Sequence, residues 1–274
     1  MKLLLISLLA VSSLEAQVPA DVARERTQLA EWLATAPNSP MVARGLAPIG
    51  PGIRIGPEDA EIPLSGMDVQ VREANGTVTI EGTIERRSLP RNRLTILGQS
   101  AFFVSGPPGK SILTVYGGDR KRQSPEYYPY DASKVFTGPL HPTDPRRFAT
   151  LGLDGLEVEA TEVGSVVIPD GTSSTRLRVY RIPDSSGEES ELMIYFRDAT
   201  NDKGTYPAGR FVTLMPMPAG SYRLDFNRAR NPFCAYRSVY PCPAPWPGNT
   251  LTMAIEAGEK YRSTGEPVVL PARP

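Results

Sequence analysis

The residues whose types could do chemistry crowd into the C-terminal part of the chain. Asp198, Asp225, Glu256 and Glu259 are carboxylates, Asn201, Asn227, Asn231 and Asn249 are amides, and Tyr206 and Arg210 stand among them. Three chemistries suit this set. Arg210 with flanking amides could hold a carboxylate or phosphate through paired hydrogen bonds. Asp198 with Asp225, or Glu256 with Glu259, could act as general acid and base on a sugar or ester. Several oxygen ligands could also hold Ca²⁺. Beside these stands a structural role, because Asn and Asp satisfy turn backbones and a buried Arg–Asp pair braces two β segments.

Composition narrows the field. The chain has 274 residues, with 30 basic and 30 acidic side chains and a formal net charge of zero. That balance gives no long-range attraction to nucleic acid or to an acidic membrane, and neither is expected as a partner. One His and two Cys exclude most His-rich zinc sites and any site of four cysteines. No motif calls for a metal or a cofactor. His141 sits in a Pro-rich stretch, and no Gly-x-Ser-x-Gly elbow accompanies it. Cys234 and Cys242, eight positions apart, are expected to form a disulfide. Closing so short a loop stabilises by roughly 2–3 kcal/mol.

The elements that must position these residues are mainly β. Proline, 28 residues, argues against a helical protein. Asp21 to Ala36 nevertheless reads as one helix, with Val22, Leu29, Trp32, Leu33 and Ala36 on one side, Asp21 as its N-cap and Pro37 as its stop. It is expected to pack on the first β region. Asn38 to Pro51 reads as a connector. From Ile53 the apolar period becomes two, and Asn75-Gly76 between Val69–Val71 and Val78–Ile80 signals a hairpin. Leu94–Leu97, Ala101–Val104 and Ile112–Tyr116 continue as strands. A polar linking loop is expected over 123–147, with Tyr127, Tyr128 and Tyr130 packing within it or facing a sugar. Strands are expected again at Leu156–Val163, Thr175–Ile182, Glu191–Phe196, Phe211–Met215, Tyr222–Phe226 and Leu251–Ile255. Arg86, Arg87, Arg91 and Arg93 read as a solvated hairpin edge.

Met1-Lys2 followed by an apolar run from Leu3 to Leu14 fits a signal peptide cleaved after Ala16, and is too short to span a bilayer. The expected order is a signal peptide (1–16), helix and connector (17–45), small β domain (46–122), linking loop (123–147), C-terminal β domain (148–266) and tail (267–274). The mature chain would be periplasmic or secreted, with no stable membrane anchor.

Several rare words occur in one order: Tyr195-Phe196-Arg197-Asp198-Ala199-Thr200, Thr205-Tyr206 to Gly209-Arg210, Asp225-Phe226-Asn227-Arg228-Ala229, Asn231-Pro232-Phe233-Cys234-Ala235-Tyr236, Cys242-Pro243 and Glu256-Ala257-Gly258-Glu259-Lys260. In these the chain resembles the domain-of-unknown-function family 1684, and more weakly so at 55–64, 115–120 and 136–147. It departs from the family's pattern at Pro207 and at Arg230, where the pattern has an aromatic residue. The family implies no reaction. The 55–64 stretch also resembles a forkhead-associated sandwich, in architecture only. The expectation is an exported protein that binds a small polar or anionic ligand near Arg210, Asp198 and Asp225. A His-independent carboxylate hydrolase and a cell-envelope interaction module with purely structural motifs are the alternatives.

Overall fold

A computed structural model describes residues 17–118, 124–183, 190–244, 246–263 and 268. The signal-peptide segment and most of the tail lie outside the described residues. Helix α1 (Ala20–Thr35) buries Val22 and Leu33, with Leu29 and Trp32 half-buried beside them. Its N-cap is Pro19 rather than Asp21. Asp21 lies inside the first turn, where a negative charge suits the helix dipole. The helix stops because Ala36, ahead of Pro37, is held extended.

The N-terminal β region is a sandwich of two sheets. Its strands are β1 (Ala43–Pro48), β2 (Ile53–Gly56), β3 (Ile62–Pro63), β4 (Val69–Ala74), β5 (Thr77–Gly82), β6 (Arg87–Leu89), β7 (Leu94–Leu97), β8 (Ser100–Ser105) and β9 (Ile112–Tyr116). One sheet has the order β3-β2-β4-β5-β6 and the other β1-β9-β8-β7. Ile55, Val71 and Ile80 of the first meet Phe102, Leu113 and Val115 of the second in one core. The β4–β5 hairpin closes through Asn75 and Gly76, both at positive φ (50° and 75°), as a two-residue primed turn requires. β1 lies in the stretch expected to be a connector. It pairs with β9, which is buried along nearly its whole length. The basic run is solvated except at Arg91. That guanidinium is half-buried and donates to Glu73, to the Gly76 carbonyl at 2.6 Å and to Ser111 Oγ at 2.6 Å.

The C-terminal region is one seven-stranded antiparallel sheet in the order β10-β16-β15-β14-β13-β12-β11. Its strands are β10 (Val135–Pro139), β11 (His141–Leu151), β12 (Glu157–Asp170), β13 (Ser173–Pro183), β14 (Ser190–Phe196), β15 (Arg210–Pro216) and β16 (Ser221–Asp225). Residues 135–147 are therefore strands, not linking loop. β10 and β11 occupy the sheet edges, where Pro142 and Pro145 break no central ladder. β11 is almost wholly exposed and shows no apolar alternation to read. His141 opens this strand and is exposed.

Both faces of this sheet are covered. Ile194, Phe196, Val212 and Leu214 pack on one side with Leu251, Ile255 and Ala257. Met193, Tyr195 and Phe211 pack on the other with Trp246. The outer face of the β1-β9-β8-β7 sheet meets the C-terminal motifs, where Ala43, Ala101 and Tyr116 share a core with Tyr206, Ala208 and Tyr240. Helix α1 also packs on the C-terminal motifs rather than on the first β region. Leu33 meets Met41 and Tyr236, and the Trp32 and Phe233 rings lie 5.7 Å apart. Arg228 pairs with Asp21 and Glu25 of the helix. Among the described residues no helix is long and apolar enough to cross a membrane.

Candidate functional site

Antiparallel pairing sets Phe196 at the end of β14 opposite Arg210 at the start of β15, which brings Asp198 to Arg210. Arg210 is fully buried. One guanidinium nitrogen donates to Asp198 Oδ2 at 3.0 Å and to the Ile255 carbonyl at 2.9 Å. The other donates to the carbonyls of Ala257 at 2.5 Å and Glu259 at 3.3 Å. The Phe196 ring lies beneath the guanidinium, 5.3 Å away. Burial pulls the Arg210 pKa down while Asp198 pushes it up. Asp198 Oδ1 accepts from Thr200 N at 2.8 Å, Thr200 Oγ1 at 2.5 Å and Ile255 N at 3.2 Å. Asn201 closes the same loop, accepting from Asp198 N at 2.6 Å and donating to the Tyr206 carbonyl at 2.5 Å. Tyr206 is buried in turn, its hydroxyl 3.1–3.3 Å from the sulfurs of Cys234 and Cys242. These two cysteines form the expected disulfide, with Cα atoms 5.6 Å apart.

Two asparagines act as backbone surrogates. β13 pairs with β14 only from Tyr180 onward, so Arg178 lacks a ladder partner on that side. Asn249 supplies it, accepting from Arg178 N at 2.8 Å and donating to Arg178 O at 3.0 Å. Asn227 does the same for Asp131, at 2.8 and 2.9 Å. Asp225 holds Asn227 in place and also accepts from Arg223 at 2.9 Å and Arg228 at 3.4 Å. Among the described residues, no hydrogen bond or ion pair joins Asp225 to Asp198 or Arg210. Asn249→Ala strips two buried backbone groups of their partners and is expected to cost about 2–4 kcal/mol. A urea unfolding curve measures this, and a cost under 1 kcal/mol would contradict the surrogate role.

The strand expected at Leu251–Ile255 is absent. Leu251 and Ile255 are buried, but side chains satisfy the backbone instead of a ladder. Asp170 accepts from Thr252 N at 3.0 Å and Met253 N at 2.7 Å, and Asp198 takes Ile255 N. Burial works against the Asp170 charge, yet the Thr175 hydroxyl, donating at 2.6 Å, and the Thr252 and Met253 amides hold its carboxyl below the usual range. Gly258 then turns at φ 75°, and a Cβ there would stand 2.6 Å from the Phe226 carbonyl oxygen.

Glu256 and Glu259 do not form an acid–base pair, because Glu256 is exposed and Glu259 is sealed. Glu259 accepts from Asn231 N at 2.8 Å and from the Tyr236 hydroxyl. Burial, against the pull of those two bonds and of Arg230, pushes its carboxyl up to about 7.

The open space lies elsewhere. A cavity of about 560 Å³ separates α1 from the motif loops and β15. Leu29, Leu33, Met215 and Phe233 supply apolar wall, Arg26, Tyr127, Arg228, Arg230, Asn231 and Tyr236 supply polar groups, and the carboxylates Glu25 and Glu191 are also on the lining. Arg228 is neutralised by Asp21, Glu25 and Asp225. Arg26 donates to the Asn227 carbonyl at 3.2 Å and lies 4.3 Å from the Tyr127 ring centre. Arg230 differs from both. Its backbone is fixed to Phe211, but among the described residues its guanidinium has no hydrogen bond or ion pair, and its charge acts from a distance to lower the pKa values of Glu259, Tyr127 and Tyr236. The buried Tyr127 Oη and Asn231 Oδ1 are likewise without partners. The Asn231 amide orientation is set by its Nδ2 donating to the Lys260 carbonyl at 2.9 Å.

Of the residues expected to bind a ligand, only Asn227 and Asn231 line this cavity. Asn201, Tyr206, Arg210 and Asn249 are buried in the structure's own bonding. The cavity adds Arg26, Tyr127 and Arg230. The sequence carried a signal for Tyr127, as a ring that could face a sugar, and for Arg230, as a cation where the resembled pattern has an aromatic residue, but none for Arg26. Among the described residues, no three His, Cys, Asp or Glu side chains come together as metal ligands would.

A family model described as "Protein of unknown function (DUF1684)" matches residues 123–260. Among solved structures, an uncharacterized protein of Haloarcula marismortui, determined by solution NMR, shares 28% identity with a TM-score of 0.43, over 50% of this chain and 76% of that one. No curated protein matches the chain.

Proposed function

Because this chain belongs to the DUF1684 family, whose description names no reaction, its activity must come from its own residues, and we propose that it binds a small anionic molecule in the cavity beneath α1. The observation that supports this is Arg230, whose guanidinium lies on the cavity and makes no hydrogen bond or ion pair among the described residues, though its charge acts on the buried Glu259 and on Tyr127. A half-buried guanidinium whose donors are unused, beside apolar walls, favours a carboxylate or phosphate that can take two of them. Tyr127 Oη adds a donor, and Asn231 Oδ1 can accept from a hydroxyl or amine next to the acid. Arg210 cannot serve this role, because every group it reaches belongs to the chain. The proposed location is the periplasm or exterior, supported by the Met1–Leu14 pattern and by the disulfide.

A thermal-shift panel of carboxylates and phosphates tests the reading. A ligand at about 100 times its Kd adds roughly 2.7 kcal/mol, raising the midpoint by about 5 °C or more. Arg230→Gln is expected to abolish the shift while leaving the ligand-free midpoint nearly unchanged. A flat panel, or a shift that survives Arg230→Gln, contradicts it.

One observation favours a second reading, hydrolysis through a carboxylate. Glu259 holds a proton near neutrality one side chain behind the cavity, as a general acid would. Activity on a glycoside or ester panel that vanishes in Glu259→Gln would favour it. Asp198 and Asp225 are too enclosed to supply the second carboxylate.

A further inference from the structure

A second cavity, also of about 560 Å³, opens between the outer face of the β1-β9-β8-β7 sheet and the seven-stranded sheet. Trp32, Leu153, Glu191, Arg230 and Phe233 line both cavities. Arg230 thus stands where the two spaces meet.

The second cavity differs in chemistry from the first. Leu94 and Phe103 face it from β7 and β8, and Val158, Ile182 and Met193 face it from β12, β13 and β14. Its one carboxylate besides the shared Glu191 is Asp154, whose pKa burial pushes up. Among the described residues Arg230 is the one Lys or Arg on the cavity lining, so the head of an acidic ligand belongs there. The remaining volume is far larger than a carboxylate needs and is walled by hydrocarbon. Space of this kind favours apolar atoms that displace poorly held water.

Resting on the anion-binding reading above, we propose that the ligand is an amphipathic acid, with its carboxylate on Arg230 and an unbranched hydrocarbon tail along Phe103, Val158 and Met193. This assigns a substrate class to the site and makes the junction between the two β regions part of it. Leu and Met walls adapt to a flexible chain more readily than to a rigid ring.

Calorimetric titration of the purified full chain with acetate, butanoate and octanoate, and with octanol as the uncharged tail, tests this. Affinity should rise about fourfold per added methylene, since each buried CH₂ contributes a constant increment. With four to six of its six extra methylenes buried, octanoate should therefore bind about 250- to 4,000-fold more tightly than acetate. Arg230→Gln should weaken octanoate at least tenfold, toward octanol. Val158→Phe narrows the second cavity with a strand-forming residue, and should weaken octanoate about tenfold while leaving acetate unchanged. The chain-length series on the unaltered protein stands even where that variant fails to fold. Arg230-dependent binding that does not grow with chain length overturns the tail proposal and leaves the anion site standing. Octanoate binding that ignores Arg230→Gln overturns the tail proposal too, since the head is then not on Arg230. Absence of Arg230-dependent binding of any acid overturns both.

Discussion

Arg210→Ala is expected to lower stability by about 4–5 kcal/mol and the thermal midpoint by about 10 °C or more. Asp198 would be left buried with one oxygen facing a void, and removing one partner of a buried ion pair costs about 3–5 kcal/mol. The carbonyls of Ile255, Ala257 and Glu259 would lose charge-assisted donors in the same step. The segment 251–259 has no strand ladder to fall back on, so its path depends on this guanidinium. A cycle with Asp198→Asn separates the pair from the carbonyl brace. Asp198→Asn removes the charge and keeps a similar shape. If the pair dominates, the double variant is hardly less stable than Arg210→Ala. If the carbonyls dominate, the two costs add. Denaturant unfolding of the three variants reads both, and a loss below 1 kcal/mol in Arg210→Ala would sink the bracing role. Arg230→Gln is the internal control, because it removes a guanidinium that makes no hydrogen bond or ion pair among the described residues.

That contrast marks where the sequence is legible. The hairpin at Asn75-Gly76 could be read because its alternation and its turn chemistry agree. Ile112–Tyr116 could be read because a strand in a sheet covered on both sides is a continuous apolar run. β11 could not, since an exposed edge strand has no buried face to impose a period, and its prolines suggest a loop. β1 is short and rich in Pro and Gly, and only its pairing with β9 makes it a strand. The stripe on α1 shows that one side is buried, but not which surface buries it. The partner is set by Arg228, more than 190 positions away, meeting Asp21 and Glu25. At 251–255 the pattern was right about burial and wrong about bonding, since side-chain carboxylates took the place of a neighbouring strand. The polar motifs showed their residue types but not whether each was sealed. Arg210 and Arg230 are the same residue in one motif-dense stretch. Only the packing of 251–259 over one, and the space left under α1 at the other, makes the first a brace and the second a candidate site.

Glu259→Gln is expected to make the chain more stable at pH 8 and no different at pH 4.5. In the folded chain burial pushes the Glu259 carboxyl from 4.5 up to about 7. Between those values the folded state binds more protons than the unfolded state, so stability falls as pH rises, and it levels off above about 7. The loss across that window is about 3 kcal/mol. Gln carries no charge to desolvate. Its carbonyl can accept from Asn231 N, and its amide can donate to Tyr236 Oη, which turns from donor to acceptor. The variant should therefore escape most of the decline and melt about 6–12 °C higher at pH 8. Asp154, also raised by burial, gives both proteins a shared slope of the same sign. Asp68, Glu73, Asp131 and Asp170 are lowered, by hydrogen bonds and charge partners that outweigh burial, so their stabilisation is lost only on the acid side. They cannot produce a decline above pH 5. Melting curves of the two proteins from pH 4.5 to 8.5 decide the matter. Curves that converge at low pH and separate through neutrality locate the proton on Glu259. Parallel curves would place the buried proton elsewhere and remove the general-acid reading with it.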